Sequence, residues 1–149
     1  MLRVALFHAP GQAFESVRAP MPALRGAEVL VRITCCALCT SDLHTHAGRR
    51  SGPTPTVLGH EIVGRIEAVG PAAPHADHRG RPLALGDRIT WSVAASCGDC
   101  FFCREALPQK CERLHKYGHE RATPEHPFVG GLADCIVLTS GTACFHVPD

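Results

Sequence analysis

A mainly β, barrel-like domain is the fold class that this sequence predicts, on three observations. Short stretches rich in β-branched residues recur along the chain, 14 glycines and 12 prolines punctuate them, and only one segment reads as a helix. At 149 residues the chain has the size of one domain, 1–149, with room for a real core.

Taken in order, residues 2–7 are largely apolar and stop at Pro10-Gly11, which predicts a strand. A second strand is expected over 13–18, before Pro20, Pro22 and Gly26 impose an irregular connection. The strongest strand signal is 28–35, where β-branched residues alternate with polar ones as in a sheet with one buried face. Residues 40–47 predict a short polar helix with Gly48 as its stop. After turn residues at 51–55, strand character resumes over 62–70 and ends at Pro71. Residues 74–82 read as an exposed loop with little functional content, followed by strands at 88–93, 133–139 and 144–147.

Charge excludes some function classes. Fifteen Lys and Arg against fourteen Asp and Glu leave a formal charge of +1, too little to gather nucleic acid or an anionic membrane. No apolar run approaches the roughly 20 residues of a membrane-spanning helix, and the first ten residues lack a basic stretch followed by an apolar one. The expectation is a soluble cytoplasmic protein.

Nine cysteines are an odd count for a disulfide framework, and four of them crowd between Cys97 and Cys111. Cys97, Cys100, Cys103 and Cys111 form Cys-x2-Cys-x2-Cys-x7-Cys, which supplies four thiolates to one tetrahedral zinc in a loop over 97–111. A site closed by four protein ligands has no vacancy for substrate and therefore suits a structural zinc. An iron–sulfur cluster is the chemical rival. Four reduced core cysteines fit poorly beside Asp99, Arg104, Glu105 and Lys110. Cys35, Cys36, Cys135 and Cys144, in apolar surroundings, are expected in the core.

Cys39, Ser41, Asp42, His44, His60 and Glu61 suggest a second site, because donors distant in sequence can converge on a zinc and leave one position open. Cys39 and His60 are the expected ligands, with Glu61 either able to enter or leave the metal shell or a solvated charge on an edge strand. Asp42 suits the orientation of His60, although a carboxylate capping the helix would look the same. Ser41 and His44 have the chemistry of a short proton relay, or of ordinary surface residues. Trp91 and Phe101 suit core packing better than a substrate wall.

Cys39-Thr40-Ser41-Asp42-Leu43-His44, Gly59-His60-Glu61, the four-cysteine loop and Gly130-Gly131-Leu132-Ala133-Asp134 together resemble the zinc-dependent medium-chain alcohol dehydrogenases over almost the whole chain. The resemblance implies a GroES-like barrel with short helices and a zinc-binding loop. It assigns Cys39 and His60 to catalytic zinc, Ser41 and His44 to the proton relay, Asp42 to the support of His60, and Cys97, Cys100, Cys103 and Cys111 to structural zinc. Glu61 becomes the mobile acidic neighbour. Family members add a Rossmann domain and another zinc-ligating cysteine farther along. No Gly-x-Gly-x-x-Gly follows a strand here, so the chain is expected to be a fragment with the nucleotide domain downstream. The intact enzyme would oxidise a small alcohol or polyol and pass hydride to NAD(P)+, and a homo-oligomer is one option for it. Ala37, where glycine is common, and Asp134, where Glu is commoner, are departures from the pattern. A noncatalytic zinc-stabilised interaction module is the alternative function.

Overall fold

The computed structural model describes residues 1–148. All strand pairs in the named sheets are antiparallel. β1 (Leu2–Leu6) pairs with β2 (Glu15–Ala19), and a central five-stranded sheet has the order β8-β3-β4-β5-β9. Its members are β3 (Val29–Ala37), β4 (Glu61–Val69), β5 (Arg88–Trp91), β8 (Cys135–Leu138) and β9 (Cys144–His146). A small ribbon of β6 (Ala94–Ala95) and β7 (His115–Lys116) flanks the four-cysteine loop. The helices are α1 (Thr40–His46), α2 (Phe101–Arg104) and a 3-10 turn at Pro108–Lys110. None is long and apolar enough to cross a membrane.

The expected strands all form, with shifted ends, and the short ribbon and α2 are additions. β3 departs from the one-sided pattern: Val29, Leu30 and Val31 are buried in succession. The reason is its place between β8 and β4, with cover on both faces. Val29 and Val31 join a cluster with Ile62, Ile66, Ile89 and Trp91, whereas Leu30 packs with Leu2, Val4, Val57 and Phe128. One strand thus links two apolar clusters, and fully burying each such aliphatic side chain contributes about 1.5–3 kcal/mol.

Register shifts between Leu30 and Val31 and between Ile33 and Cys35 bend β3 where it runs beside β4. Beyond the second shift Ala37 pairs with Glu61. The end of one strand and the start of its neighbour therefore lie side by side, which is how Cys39 comes to face His60.

Three expectations change. Cys35 is exposed, because the bend leaves that end of β3 uncovered, and Cys36 is only half-buried, while Cys135 and Cys144 are in the core as expected. Phe101 is 60% exposed against Phe102, while Trp91 packs edge-on to Tyr117 in the core. The loop over 74–82 is exposed except at Asp77, which is buried and organises its surroundings. Its carboxylate accepts the Arg79 and Arg81 N–H groups, both at 2.9 Å, and lies 3.1 Å from His146 Nδ1. The other ring nitrogen lies 2.9 Å from Asp87 Oδ2. With a carboxylate oxygen on each ring nitrogen, the doubly protonated imidazole is favoured. Asp87 first, then Asp77, raises the His146 pKa from its ordinary 6.5. Burial by itself would raise Asp77, but the Arg81 N–H, the His146 ring and the other backbone donors outweigh it and hold the carboxyl well below the usual range.

Candidate metal centres

The four-cysteine loop brings its sulfurs together with very short elements. Cys100 caps α2, Cys103 lies within it, and the 3-10 turn at Pro108–Lys110 delivers Cys111. One sulfur from each of Cys97, Cys100, Cys103 and Cys111 lies within 4.8 Å of the other three. The shortest gaps are 3.4 Å between Cys97 and Cys111 and 3.5 Å between Cys100 and Cys103, far longer than a disulfide. Backbone donors point into the cluster: the N–H groups of Cys97 and Arg113 reach Cys111 Sγ at 3.2 and 3.4 Å. The Glu112 N–H, then that of Cys103, brings the Cys100 thiol down to about 6, and the Cys97 N–H lowers Cys111. Burial, followed by the Cys100 sulfur, pushes Cys103 up to about 11. Four convergent sulfurs with N–H donors behind them match the soft, anionic donor set that a tetrahedral zinc takes. Arg113 pairs with Asp99 on the outside of the loop.

The second cluster is assembled from two strand ends and a helix. Ligand atoms of Cys39, His60 and Glu61 lie within 4.8 Å of one another, the first two half-buried and Glu61 exposed. Asp42 is the organising group, 2% exposed. Its Oδ2 accepts the Cys39 N–H at 3.0 Å, as the third residue of a helix does for its N-cap. Its Oδ1 accepts the Gly59 N–H at 3.1 Å and stands 3.4 Å from His60 Nδ1. The helix-cap reading of Asp42 is met, and the same carboxylate joins the segments that carry the two donors and lies beside the His60 ring without a hydrogen bond to it. His60 Nδ1 is buried without an aligned hydrogen bond, a polar atom left facing a carboxylate. The opposite nitrogen, Nε2, faces Ser41 Oγ at 3.4 Å. A Cys, a His and a nearby carboxylate, with a supporting Asp behind the imidazole, fit a zinc that keeps an open position.

Glycine makes this approach possible. Gly59 has φ +91°, and a Cβ there would meet Cys36 Sγ at 2.6 Å, while a Cβ on Gly130 would fall 1.9 Å from the Val57 carbonyl oxygen. These contacts let the chain after Phe128 lie against 57–59, with Gly131 N donating to Gly59 O at 2.8 Å. Burial, then the charges of Asp42, Cys35 and Glu61, pushes the neighbouring Cys36 thiol up to about 11, so it stays protonated at neutral pH.

His44 is exposed on α1, and among the described residues no hydrogen bond joins it to Ser41. His119 is the neighbour that sequence reasoning missed. Its ring lies 4.8 Å from that of His60, and burial, then the facing charge of Arg50, lowers its pKa. The available signal was a histidine after Gly118, but one of ten histidines carries no pairing information.

The comparisons with known proteins agree with this architecture. The model of the alcohol dehydrogenase GroES-like domain matches residues 25–149, and the chain belongs to that family. Zinc-type alcohol dehydrogenase B of Aspergillus flavus is 31% identical over 118 residues, which are 78% of this chain and 26% of that protein. D-arabinitol dehydrogenase 1 of Uromyces fabae is 30% identical over 114 residues, 76% of this chain and 31% of that one. Among solved structures, an alcohol dehydrogenase of Thermotoga maritima superposes with a TM-score of 0.87 at 28% identity, covering 99% of this chain and 41% of the other. The chain thus spans less than half the length of each of these relatives.

Proposed function

We propose that this domain provides the zinc centre and substrate-side wall of an NAD(P)-dependent dehydrogenase that reversibly oxidises an alcohol or polyol. The observation that carries the reading is Asp42, buried and bonded to the Cys39 and Gly59 N–H groups beside the His60 ring. A carboxylate in that position costs desolvation that a surface helix cap does not require, and it orients a ligand imidazole. The similarity to dehydrogenases over most of the chain supports this reading over a noncatalytic interaction module.

Cys39 and His60 would hold the catalytic zinc, with Glu61 as the exchanging carboxylate, and the four cysteines of 97–111 would hold the structural one. When bound, the catalytic zinc supplies the positive charge that polarises an alcohol oxygen. Asp42 stands behind the His60 ring on the Nδ1 side, and Nε2 faces Ser41. Ser41 Oγ would accept the hydroxyl proton of the substrate while releasing its own to water, and His44, exposed on the same helix and not bonded to Ser41, would take up that proton from the solvent. A nucleotide-binding domain joined to this one would hold NAD(P)+ against the substrate carbon as hydride acceptor.

Zinc stoichiometry and turnover test the reading together. The chain alone is expected to retain zinc at the four-cysteine loop, to bind zinc less tightly at Cys39 and His60, and to produce no NAD(P)H from alcohols. Joined to a nucleotide-binding domain it is expected to do so. Zinc-dependent turnover by the 149 residues alone, or joined protein that is fully metallated and inert with primary alcohols, secondary alcohols and polyols, would count against it.

A further inference from the structure

Beyond His119 lies a cavity of about 170 Å³, bounded by the end of α1, the following loop and the turn at Gly118. Thr45, Arg50, Ser51, Gly52, Gly118 and His119 contribute to its wall, and no Asp or Glu does. Arg50 is exposed, its backbone N–H bonded to the His44 carbonyl at 3.2 Å. Among the described residues no carboxylate forms an ion pair with its guanidinium. Thr45 Oγ1 donates to Ser41 O at 3.0 Å and Thr56 Oγ1 to Glu120 O at 2.6 Å. Those two hydroxyls are committed to the backbone, which leaves the guanidinium, the Ser51 hydroxyl and the His119 ring as the donors that can meet a ligand.

Size and position narrow what such a ligand is. Pockets that enclose a whole small molecule usually measure about 300–1,000 Å³, so this cavity suits one terminal group. Ser41 and Thr45 are four residues apart on one helix face, about 6 Å along its axis. His119 belongs to both places, since its ring lies 4.8 Å from that of His60 and the residue also lines the cavity. A short alcohol with its hydroxyl at Ser41 would have its far end here. An uncharged chain end would gain little from an unpaired guanidinium, whereas an oxyanion gains a charge-assisted hydrogen bond with planar geometry.

We propose that this cavity receives an oxyanion, and that the compound oxidised is a small alcohol bearing a phosphate or carboxylate group. The substrate class rests on the dehydrogenase reading above, whereas the anion site does not.

The test is titration of the zinc-loaded chain with inorganic phosphate, acetate and glycerol, followed by amide NMR shifts. Expected is saturable binding of phosphate or acetate that moves Gly52, Gly118 and His119, with no such response to glycerol. Arg50→Gln should weaken that binding about fivefold, Arg50→Lys should restore only part of it, and Arg49→Gln should leave it unchanged. The stronger anion identifies the substrate's charged group. Absence of saturation at those residues, or equal affinity in wild type and Arg50→Gln, would overturn the proposal. Turnover by the fully metallated joined enzyme separates the two readings. Anion binding by a joined enzyme that is inert with every alcohol tested sinks the dehydrogenase reading alone, and alcohol turnover without anion binding sinks the anion site alone. In the joined enzyme, a phosphorylated or carboxylated alcohol should have a higher kcat/KM than its neutral parent, and Arg50→Gln should remove that preference.

Discussion

The four-cysteine loop and the Cys39–His60–Glu61 cluster gather their donors in opposite ways. In the loop all four sulfurs come from 15 consecutive residues, and its own backbone N–H groups stabilise them. In the cluster the donors come from separate strand ends, and a buried carboxylate on a third element joins them. Proximity in sequence makes the first site nearly self-sufficient, whereas the second exists only while the β3–β4 pairing, α1 and the glycine contacts hold. The first is complete in protein ligands and the second is open, which matches a division between structure and chemistry.

That difference breaks or sharpens through mutation, and the largest effect falls on the loop. Structural zinc in short peptides contributes roughly 10–16 kcal/mol of apparent binding free energy, all of it linked to folding. Cys103→Ser is therefore expected to abolish tight zinc binding by the loop and to lower Tm, read by metal analysis and calorimetry. Unchanged zinc occupancy with an unchanged Tm would erase the assigned distinction.

Next comes His60→Ala in the joined enzyme. If His60 holds the catalytic metal as proposed, its loss should reduce turnover on the order of 10³-fold, several kcal/mol of transition-state stabilisation, while the loop keeps its zinc. Normal kcat with both metals present would show that the two sites are not divided in this way.

Asp42→Asn is a smaller perturbation of the same site. Removing the charge behind a ligand imidazole typically costs about 10–100-fold in metal affinity. Zinc competition with a chelator should show that loss at the cluster and none at the loop. A loss at both would mean that Asp42 acts through general stability.

The smallest effect concerns the His146 clamp, remote from both sites, and its sign is set by the direction of its shifts. A raised His146 pKa contributes stability that is fully present below 6.5 and fades as pH rises through its higher folded value. The depressed Asp77 and Asp87 contribute stability that is present above 3.8 and fades as pH falls through their lower folded values. The Tm difference between wild type and Asp77→Asn should therefore peak between about pH 4 and 6.5 and narrow in alkali. A difference independent of pH would assign Asp77 to loop geometry alone.

Much of this protein was legible from local patterns. Alternation and β-branching marked the strands, glycines and prolines marked the turns, and the spacing of Cys97, Cys100, Cys103 and Cys111 marked four sulfurs that converge in one loop. These are properties of a few consecutive residues, so the sequence by itself determined them. Only the tertiary structure decided that Val29, Leu30 and Val31 are all buried, because cover on both faces of β3 depends on β8 arriving from a hundred residues away. The same holds for the exposure of Cys35, the buried Asp77 beneath His146, and the meeting of His119 with His60. Each is a contact between segments with no shared periodicity, set by how the strands pair and where β3 bends, and a side chain's burial or partner follows from that pairing.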